Sequence, residues 1–156
     1  MKGNVIALAS GPEPTVAASP KTTTEERMPS SEQICSAVTA YAEAFRTADK
    51  ERFYDVLAEG VVQEDPVGGA PRRGRDDLAE FFDTISGLCE RIEFEVRELY
   101  VSGDEVAIVF TIVQHRRDGM LVTLDGVDTF RVDNGGKVIL IRGYSSPRTH
   151  GPGKST

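Results

Sequence analysis

The sequence predicts an α+β fold in which about three N-terminal helices pack on one face of a curved, mostly antiparallel sheet. Two observations support this class. Apolar residues recur at helical spacing between residues 30 and 87, and after Gly87 they alternate with charged residues as they do along a strand. Turn signals then separate the strand segments, which is typical of an antiparallel meander.

The helical half begins at a capping box. Ser30 and Gln33 have the residue types and the spacing that cap a helix N-terminus. One apolar stripe follows at helical spacing, formed by Ile34, Val38, Tyr41 and Phe45. Asp49 then indicates the start of a second, short helix, which carries Phe53, Val56 and Leu57.

A short strand and a loop precede the third helix. Val61–Asp65 has strand character and is stopped by Pro66. Pro66–Gly74 is rich in glycine and proline, so it is predicted as a loop. The third amphipathic helix is indicated by Leu78, Phe81, Phe82 and Ile85.

The second half of the chain is predicted as strands. Its strand segments are Ile92–Val96, Val106–Val113, Leu121–Val132 and Val138–Tyr144. Asp118-Gly119 and residues 133–136 carry turn residues between the later strands. Val138–Ile141 is apolar at every position, so both faces of the last strand need cover, which favours another subunit on the second face.

The chain of 156 residues suits one domain, which we assign to residues 30–147. Residues 1–29 contain four prolines and no aromatic residue, so they are predicted as a disordered tail. A secretory signal is the alternative, although the apolar piece Val5–Ala9 is shorter than a signal-peptide core. Residues 148–156 are predicted as a C-terminal tail.

Composition disfavours several classes of function. The 18 basic and 25 acidic side chains give a net charge of −7, which disfavours binding to nucleic acid or to an anionic membrane. No apolar run approaches the roughly 20 residues that span a bilayer. Two cysteines and two histidines are too few to indicate a metal site. We therefore expect a cytoplasmic protein that uses no metal.

Asp128 is the most informative single residue. Side chains alternate between the faces of a strand, and Asp128 shares its face with Val122, Leu124, Phe130 and Val132. Asp125 has the opposite parity and lies on the other face. Burial among apolar neighbours raises the pKa of a carboxyl, which can then donate a hydrogen bond as the neutral acid. The alternative is a β-bulge near Gly126 that returns Asp128 to solvent.

Tyr41 and Asp65 each have a structural and a functional interpretation. Tyr41 lies on the apolar stripe of the first helix, where a tyrosine is usually part of the core and its hydroxyl finds a partner. Asp65 precedes Pro66, which is common turn chemistry, but it also ends a strand near the apolar face. Glu64 points the other way if the strand is regular.

Arg72, Arg73 and Arg75 form a basic cluster in the loop before the third helix. Such a cluster is usually a solvated surface, here close to Asp76 and Asp77. Binding of an anionic part of a substrate is the functional alternative.

Two motifs and one tyrosine stand at a recognisable spacing. The first motif is Val62–Gly68 continued by Pro71–Arg75, and the second is Leu124–Arg131. Tyr41 precedes the first motif. Together they resemble the ketosteroid isomerase (steroid Δ-isomerase) family of the NTF2-like, or SnoaL-like, superfamily. The resemblance covers about residues 30–146 and implies the NTF2-like cone.

The resemblance also implies a site and a reaction. Asp65 matches the general base that removes a proton from the carbon next to a ketone, and Tyr41 matches one oxyanion-hole donor. Asp128 matches the second donor, and its neutral state is taken from the known mechanism of the family. The implied reaction is a shift of a C=C bond in a 3-oxo-Δ5-steroid or a similar apolar enone, through a dienolate and without a metal or organic cofactor.

The expected pocket lies between the helices and the sheet and holds a flat, apolar small molecule. Its candidate lining residues by position are Phe45, Phe82 and Leu124. Phe82 stands where well-known members have a second tyrosine, and Ser145 stands where a tryptophan is frequent, so the substrate is left open. The resemblance also implies a homodimer.

Two other functions stay open. A natural-product cyclase that closes polyether, pyran or polyketide rings uses an acid and a base in the same places. A non-catalytic NTF2-like module keeps the pocket for binding alone. An enolate analogue distinguishes a working oxyanion hole from both alternatives.

Overall fold

A computed structural model describes residues 28–150, with the side chain of His150 excepted. The predicted tails fall largely outside this range, at residues 1–27 and 151–156. The helices of the described part are α1 (Ser31–Thr47), α2 (Lys50–Val56) and α3 (Gly74–Leu88). Its strands are β1 (Leu57–Glu64), β2 (Arg72–Arg73), β3 (Cys89–Ser102), β4 (Glu105–Arg116), β5 (Leu121–Val132) and β6 (Val138–His150).

Within residues 28–150, six strands form one mixed sheet in the order β2-β1-β6-β5-β4-β3. Neighbouring strands run antiparallel except β1 and β6, which are parallel. Register shifts in β3 act as bulges, which bend a strand and increase its twist. The predicted α+β class, with helices packed on a curved and mostly antiparallel sheet, is confirmed.

Both helix starts predicted from the sequence are present. The side chain of Ser30 accepts a hydrogen bond from the backbone N–H of Gln33 at 3.1 Å, and the Gln33 side chain accepts one from the Ser30 N–H at 2.9 Å. Asp49 accepts from the backbone N–H of Arg52 at 2.9 Å. Leu57, which was predicted in the second helix, is instead the first residue of β1.

An aromatic cluster joins the helices to the inner face of the sheet. The rings of Phe53 and Phe82 stack with centroids 4.7 Å apart, and Phe45 lies 4.9 Å from Phe82. Phe53, Phe82 and Phe130 are fully buried, and truncating such a ring to alanine typically costs about 3–5 kcal/mol. This cluster fixes α1, α2 and α3 on the sheet beside an open cavity.

The last strand is longer than predicted, and this corrects the C-terminal boundary. Residues 148–156 were predicted as a tail, whereas β6 continues to His150. Arg148 and Thr149 pair with Thr123 and Val122 of β5. Their side chains show no apolar alternation, so the strand extends because the start of β5 offers backbone partners.

Candidate active site

A cavity of about 400 Å³ lies between the helices and the inner face of the sheet. Its wall is mostly apolar, with a few polar groups that face inward, which is typical of a small-molecule site. The lining residues are Tyr41, Phe45, Asp65, Pro66, Arg72, Phe81, Ile85, Ile92, Phe94, Phe110, Ile112, Gln114, Leu124, Asp128, Ser145 and Pro147. A groove of about 650 Å³ beside α1 and α2 is open to solvent and lined largely by polar residues.

Asp128 lies on the inner face of β5, as strand parity predicts. The pairing of β5 with β4 and β6 runs without a shift from Leu121 to Arg131, so the alternative of a bulge near Gly126 is wrong. The side chain is 6% exposed. Burial raises the pKa of Asp128 to about 8, and the nearby charge of Asp65 contributes to the rise. At pH 7 this carboxyl is therefore a neutral acid that can donate a hydrogen bond.

Asp65 directly follows β1 and meets Asp128 at Gly143 of β6. Gly143 is the Cα partner of Asp128. A Cβ atom on Gly143 would lie 2.5 Å from one carboxyl oxygen of Asp65 and 3.2 Å from one carboxyl oxygen of Asp128. The missing side chain at this position thus leaves the space into which both carboxyls project. Burial raises the pKa of Asp65, while the Arg72 guanidinium acts against that rise.

Tyr41 reaches the same cavity from α1. Its side chain is buried, and its ring packs edge-on against Phe130 with centroids 5.1 Å apart. Burial raises the pKa of Tyr41 well above its usual value of 10.0, and the carboxyls of Asp128 and Asp65 raise it further. The hydroxyl therefore keeps its proton and is available as a donor. Three residues singled out from the sequence thus line one cavity, each from a different element.

The structure places two of the three candidate lining residues on the cavity wall. Phe45 and Leu124 lie on the cavity wall, but Phe82 does not, and the neighbouring Phe81 takes that place. Consecutive residues of a helix point about 100° apart, so only one of these two rings faces the cavity. Phe82 is 1% exposed and stacks on Phe53 in the core.

Gln63 is a polar residue of this region that the sequence interpretation missed. It lies on the inner face of β1 between Val61 and Asp65, and it is fully buried. Its amide oxygen accepts a hydrogen bond from Arg72 at 3.4 Å, and its amide nitrogen has no partner among residues 28–150. Strand parity with Val61 is the signal that could have found it.

The basic cluster before α3 divides into two environments. Arg73 is exposed, as expected for a solvated surface, and Arg75 donates to the carbonyl of Leu57 at 2.9 Å. Arg72 lines the cavity instead. Its guanidinium lies 4.3 Å from the centroid of the Phe81 ring and donates to the backbone carbonyl of Asp65 at 3.1 Å.

No group of three or more His, Cys, Asp or Glu side chains among residues 28–150 is arranged to hold a metal ion. No helix in this part of the chain is both long enough and apolar enough to cross a membrane. The ionisable side chains on the cavity wall are Tyr41, Asp65, Arg72 and Asp128.

The chain matches the SnoaL-like domain family over residues 38–141. Among solved structures, it is similar to a Δ5-3-ketosteroid isomerase from Mycobacterium sp., with 26% identity and a TM-score of 0.68. That match covers 74% of this chain and 98% of the isomerase.

Two further structures show the range of proteins with this fold. The Mycobacterium tuberculosis protein RV0760c, in complex with estradiol-17β-hemisuccinate, is 26% identical with a TM-score of 0.67, over 72% of this chain and 92% of that chain. The epoxide hydrolase/cyclase-like enzyme SalBIII, studied for pyran ring formation in the polyether salinomycin, is 22% identical with a TM-score of 0.67. That likeness covers 74% of this chain and 92% of SalBIII and shows the fold alone.

Proposed function

Because the chain belongs to the SnoaL-like domain family, we propose that it is a cofactor-independent isomerase of the steroid Δ-isomerase type. The substrate is a flat, apolar ketone, such as a 3-oxo-Δ5-steroid, whose C=C bond moves into conjugation. The observation that supports this most is that the carboxyls of Asp65 and Asp128 both lie beside Gly143. The pKa of Asp128 is raised to about 8. Such a pair offers one base and one neutral acid to the same ligand.

Asp65 acts as the base in this proposal. Asp65 is less deeply buried than Asp128, and the Arg72 guanidinium lowers its pKa, so we assign Asp65 as the carboxyl that ionises first. Burial raises the pKa of Asp65 itself, which makes it a better proton acceptor than a solvated aspartate. It takes the proton from the carbon next to the carbonyl group and returns it at the far end of the conjugated system, so no net proton is consumed.

Tyr41 and Asp128 stabilise the dienolate. As the proton leaves, negative charge develops on the carbonyl oxygen, and two donors aimed at that oxygen lower the barrier. One such donor is typically worth a hundredfold to a thousandfold in rate. Both groups keep their protons at neutral pH because burial raises their pKa values. The apolar wall excludes water, which strengthens these hydrogen bonds.

The similar structures support the substrate class. The 26%-identical isomerase from Mycobacterium sp. is a Δ5-3-ketosteroid isomerase, and RV0760c is in complex with a steroid ester. The cavity volume of about 400 Å³ suits a ligand of that general size.

The direct test combines turnover and binding. We expect the protein to convert 5-androstene-3,17-dione into the conjugated enone, followed by ultraviolet absorbance, and to bind equilenin, a phenol that resembles the dienolate. Asp65→Asn should bind equilenin but lose turnover. If the wild-type protein binds equilenin without converting 5-androstene-3,17-dione, the site is a binding module; if it does neither, the isomerase proposal is wrong.

A ring-forming cyclase is the second candidate. Gln114 and Ser145 add polar groups to the cavity wall that a steroid skeleton does not need. The two carboxyls at Gly143 also suit a reaction in which Asp128 protonates a leaving oxygen and Asp65 accepts a proton from the attacking hydroxyl. Such an enzyme needs no oxyanion hole, so weak equilenin binding that is insensitive to Tyr41→Phe favours it.

We further propose that the protein forms a homodimer through the outer face of the sheet. Val127 and Tyr144 are register partners on that face, with exposed fractions of 37% and 45%. Exposed apolar neighbours on a sheet face mark an interaction surface when they are contiguous. Sedimentation of the wild-type protein and of Tyr144→Lys tests this, with the variant expected to shift toward the monomer.

A further inference from the structure

The cavity contains one charged group, Arg72, that has no direct contact with the substrate in the proposed isomerisation and acts there only by lowering the pKa of Asp65. Arg72 is half-buried on the cavity wall, where its guanidinium lies 4.3 Å from the centroid of the Phe81 ring. One nitrogen, Nη1, donates to the carbonyl of Asp65 at 3.1 Å and to the amide oxygen of Gln63 at 3.4 Å. These contacts fix the position of the guanidinium without neutralising its charge.

No carboxylate among residues 28–150 forms an ion pair with Arg72, whereas the arginines of β3, β4, β5 and β6 have one. Arg142, for example, lies 3.3 Å from Glu64. Asp65 is adjacent, but its carboxyl projects toward Gly143 and only its backbone carbonyl contacts Arg72. Asp77 and Glu80 of α3 border Arg72 on the outer side and make no ion pair with it.

The guanidinium therefore has hydrogen-bond donors that no acceptor in the described residues occupies. Nε and Nη2 have no hydrogen-bond acceptor among the described residues, and together they present the planar fork that matches a carboxylate. A cation beside an apolar wall is stabilised by an anion that shares the site. Since no other lysine or arginine lines the cavity, the charge there suits an anion of a single negative charge rather than a phosphate.

We propose that Arg72 binds a carboxylate of the ligand, so that the cavity accepts an apolar ketone that also carries one carboxylate. The orientation of this ligand rests on the proposed function, because its ketone oxygen then lies at Tyr41 and Asp128. The contact at Arg72 does not depend on turnover and can be measured by binding alone.

The test uses three naphthalene probes: 6-hydroxy-2-naphthoic acid, its methyl ester and 2-naphthol. The chain has no tryptophan, so the fluorescence of each probe reports binding directly. At pH 7 we expect the wild-type protein to bind the acid about tenfold or more tightly than the ester, since a hydrogen bond to a charged group carries that difference. Arg72→Gln should bind the two equally, and Arg72→Lys should keep part of the preference.

Arg73→Gln is the matched control, because Arg73 is exposed and does not line the cavity; this variant should keep the full preference. Equal affinity of the wild-type protein for acid and ester, or a preference that survives Arg72→Gln, overturns the proposal. The neutral 2-naphthol separates this test from that of the proposed function. Its binding should be weakened by Asp128→Leu, and failure there counts against the oxyanion hole and not against Arg72.

Discussion

The two faces of the sheet turn one kind of side chain into two different chemical groups. Asp128 on the inner face of β5 is 6% exposed, and burial raises its pKa to about 8. Asp125, three positions earlier on the outer face, accepts a hydrogen bond from Thr111 at 2.7 Å and pairs with Arg97 and Arg148. The Thr111 hydrogen bond and these cations lower the pKa of Asp125. The face of the strand on which the aspartate lies, and not the residue type, decides which carboxyl stays neutral.

The same contrast recurs where β1 ends. Glu64 points to the outer face and pairs with Arg142 at 3.3 Å, while its neighbour Asp65 points into the cavity. Each inner acid therefore has an outer acid close by in the sequence as its natural control. Glu64 is therefore the matched control for Asp65, and Asp125 is the matched control for Asp128.

The largest effect is expected at the end of β1. Asp65→Asn keeps the shape of the side chain but removes the proton acceptor, and loss of a general base typically costs a hundredfold to ten-thousandfold. Glu64→Gln should stay within about threefold of the wild-type protein, because it affects only a half-exposed ion pair on the outer face. The measurement is kcat/KM for 5-androstene-3,17-dione. Activity of Asp65→Asn within tenfold of the wild type would falsify the assignment of the base.

On β5 the expected order of activity is wild type, Asp128→Asn and then Asp128→Leu, with the leucine variant slower by about a hundredfold or more. Asparagine can still donate through its amide, and leucine cannot donate at all. Asp125→Asn should be nearly silent under the same conditions. Equal losses at Asp125 and Asp128 would mean that the two faces do not differ in function.

Tyr41→Phe tests whether the inner face acts as a unit. We expect a loss of roughly a hundredfold, because one of two donors to the same oxygen is removed. Combined with Asp128→Leu, the loss should be smaller than the product of the two single losses, since both donors serve one oxygen. Strictly multiplicative losses in kcat/KM contradict a shared oxyanion.

Activity should decline at alkaline pH because Asp128, on the inner face, loses its proton; the outer-face Asp125 should not contribute. Asp128 loses its proton near pH 8, and with it the ability to donate. We expect kcat/KM to decline above that pH in the wild-type protein and in Asp125→Asn. In Asp128→Asn this decline should disappear, because an amide does not titrate. A decline that persists unchanged in Asp128→Asn belongs to another group.

The free energy of unfolding should also depend on pH, with opposite signs for the two faces. Asp128 keeps its proton in the folded state up to about pH 8, whereas the unfolded chain loses it near 3.8. Between these values the folded state binds more protons, so the contribution of Asp128 to the free energy of unfolding falls as pH rises. At pH 8, Asp128→Asn should therefore be more stable than the wild type, by on the order of a few kcal/mol.

In the same unfolding experiment, Asp125→Asn should change the free energy of unfolding in the opposite direction to Asp128→Asn. The pKa of Asp125 is lowered in the folded state, so its charged form stabilises the protein above its unfolded pKa and that stabilisation is lost in acid. Removing the charge should slightly destabilise the protein at pH 8. Urea unfolding of the wild type and both variants at pH 3 and pH 8 checks the two directions, because these values lie on either side of the unfolded aspartate pKa of 3.8. A lower stability of Asp128→Asn at pH 8 would count against the neutral buried acid.

Most of the fold could be predicted because each element carries its own period and its own end signals. Ser30 and Asp49 mark helix starts through hydrogen bonds that span three residues, and parity along β5 assigns Asp128 to the inner face without knowledge of any neighbour. The end of β6 was not predictable in this way, because Arg148–His150 is held by pairing with β5 rather than by an apolar pattern. Pairing partners distant in the chain leave no local mark.

The same limit explains what was missed in the candidate site. Phe81 and Phe82 are equally apolar, and only the position of α3 over the sheet decides which ring faces the cavity. Gly143 looks like an ordinary strand glycine until β1 and β5 are placed on either side of it. Arg72 could not be separated from Arg73 and Arg75 because its role depends on where Asp65 and Phe81 lie.

The position of β6 in the sheet has a consequence for folding during synthesis. β1 and β5 are not neighbours, and β6, the last strand in the described part of the chain, lies between them. During translation, Tyr41, Asp65 and Asp128 are therefore synthesised before β6, the strand that pairs with both β1 and β5. The nascent chain carries all three groups while the surface at Gly143 is still missing, so the two carboxyls cannot yet meet. Under the proposed function, activity is therefore expected only after the C-terminal strand has docked, and a chain that ends before Val138 should be inactive.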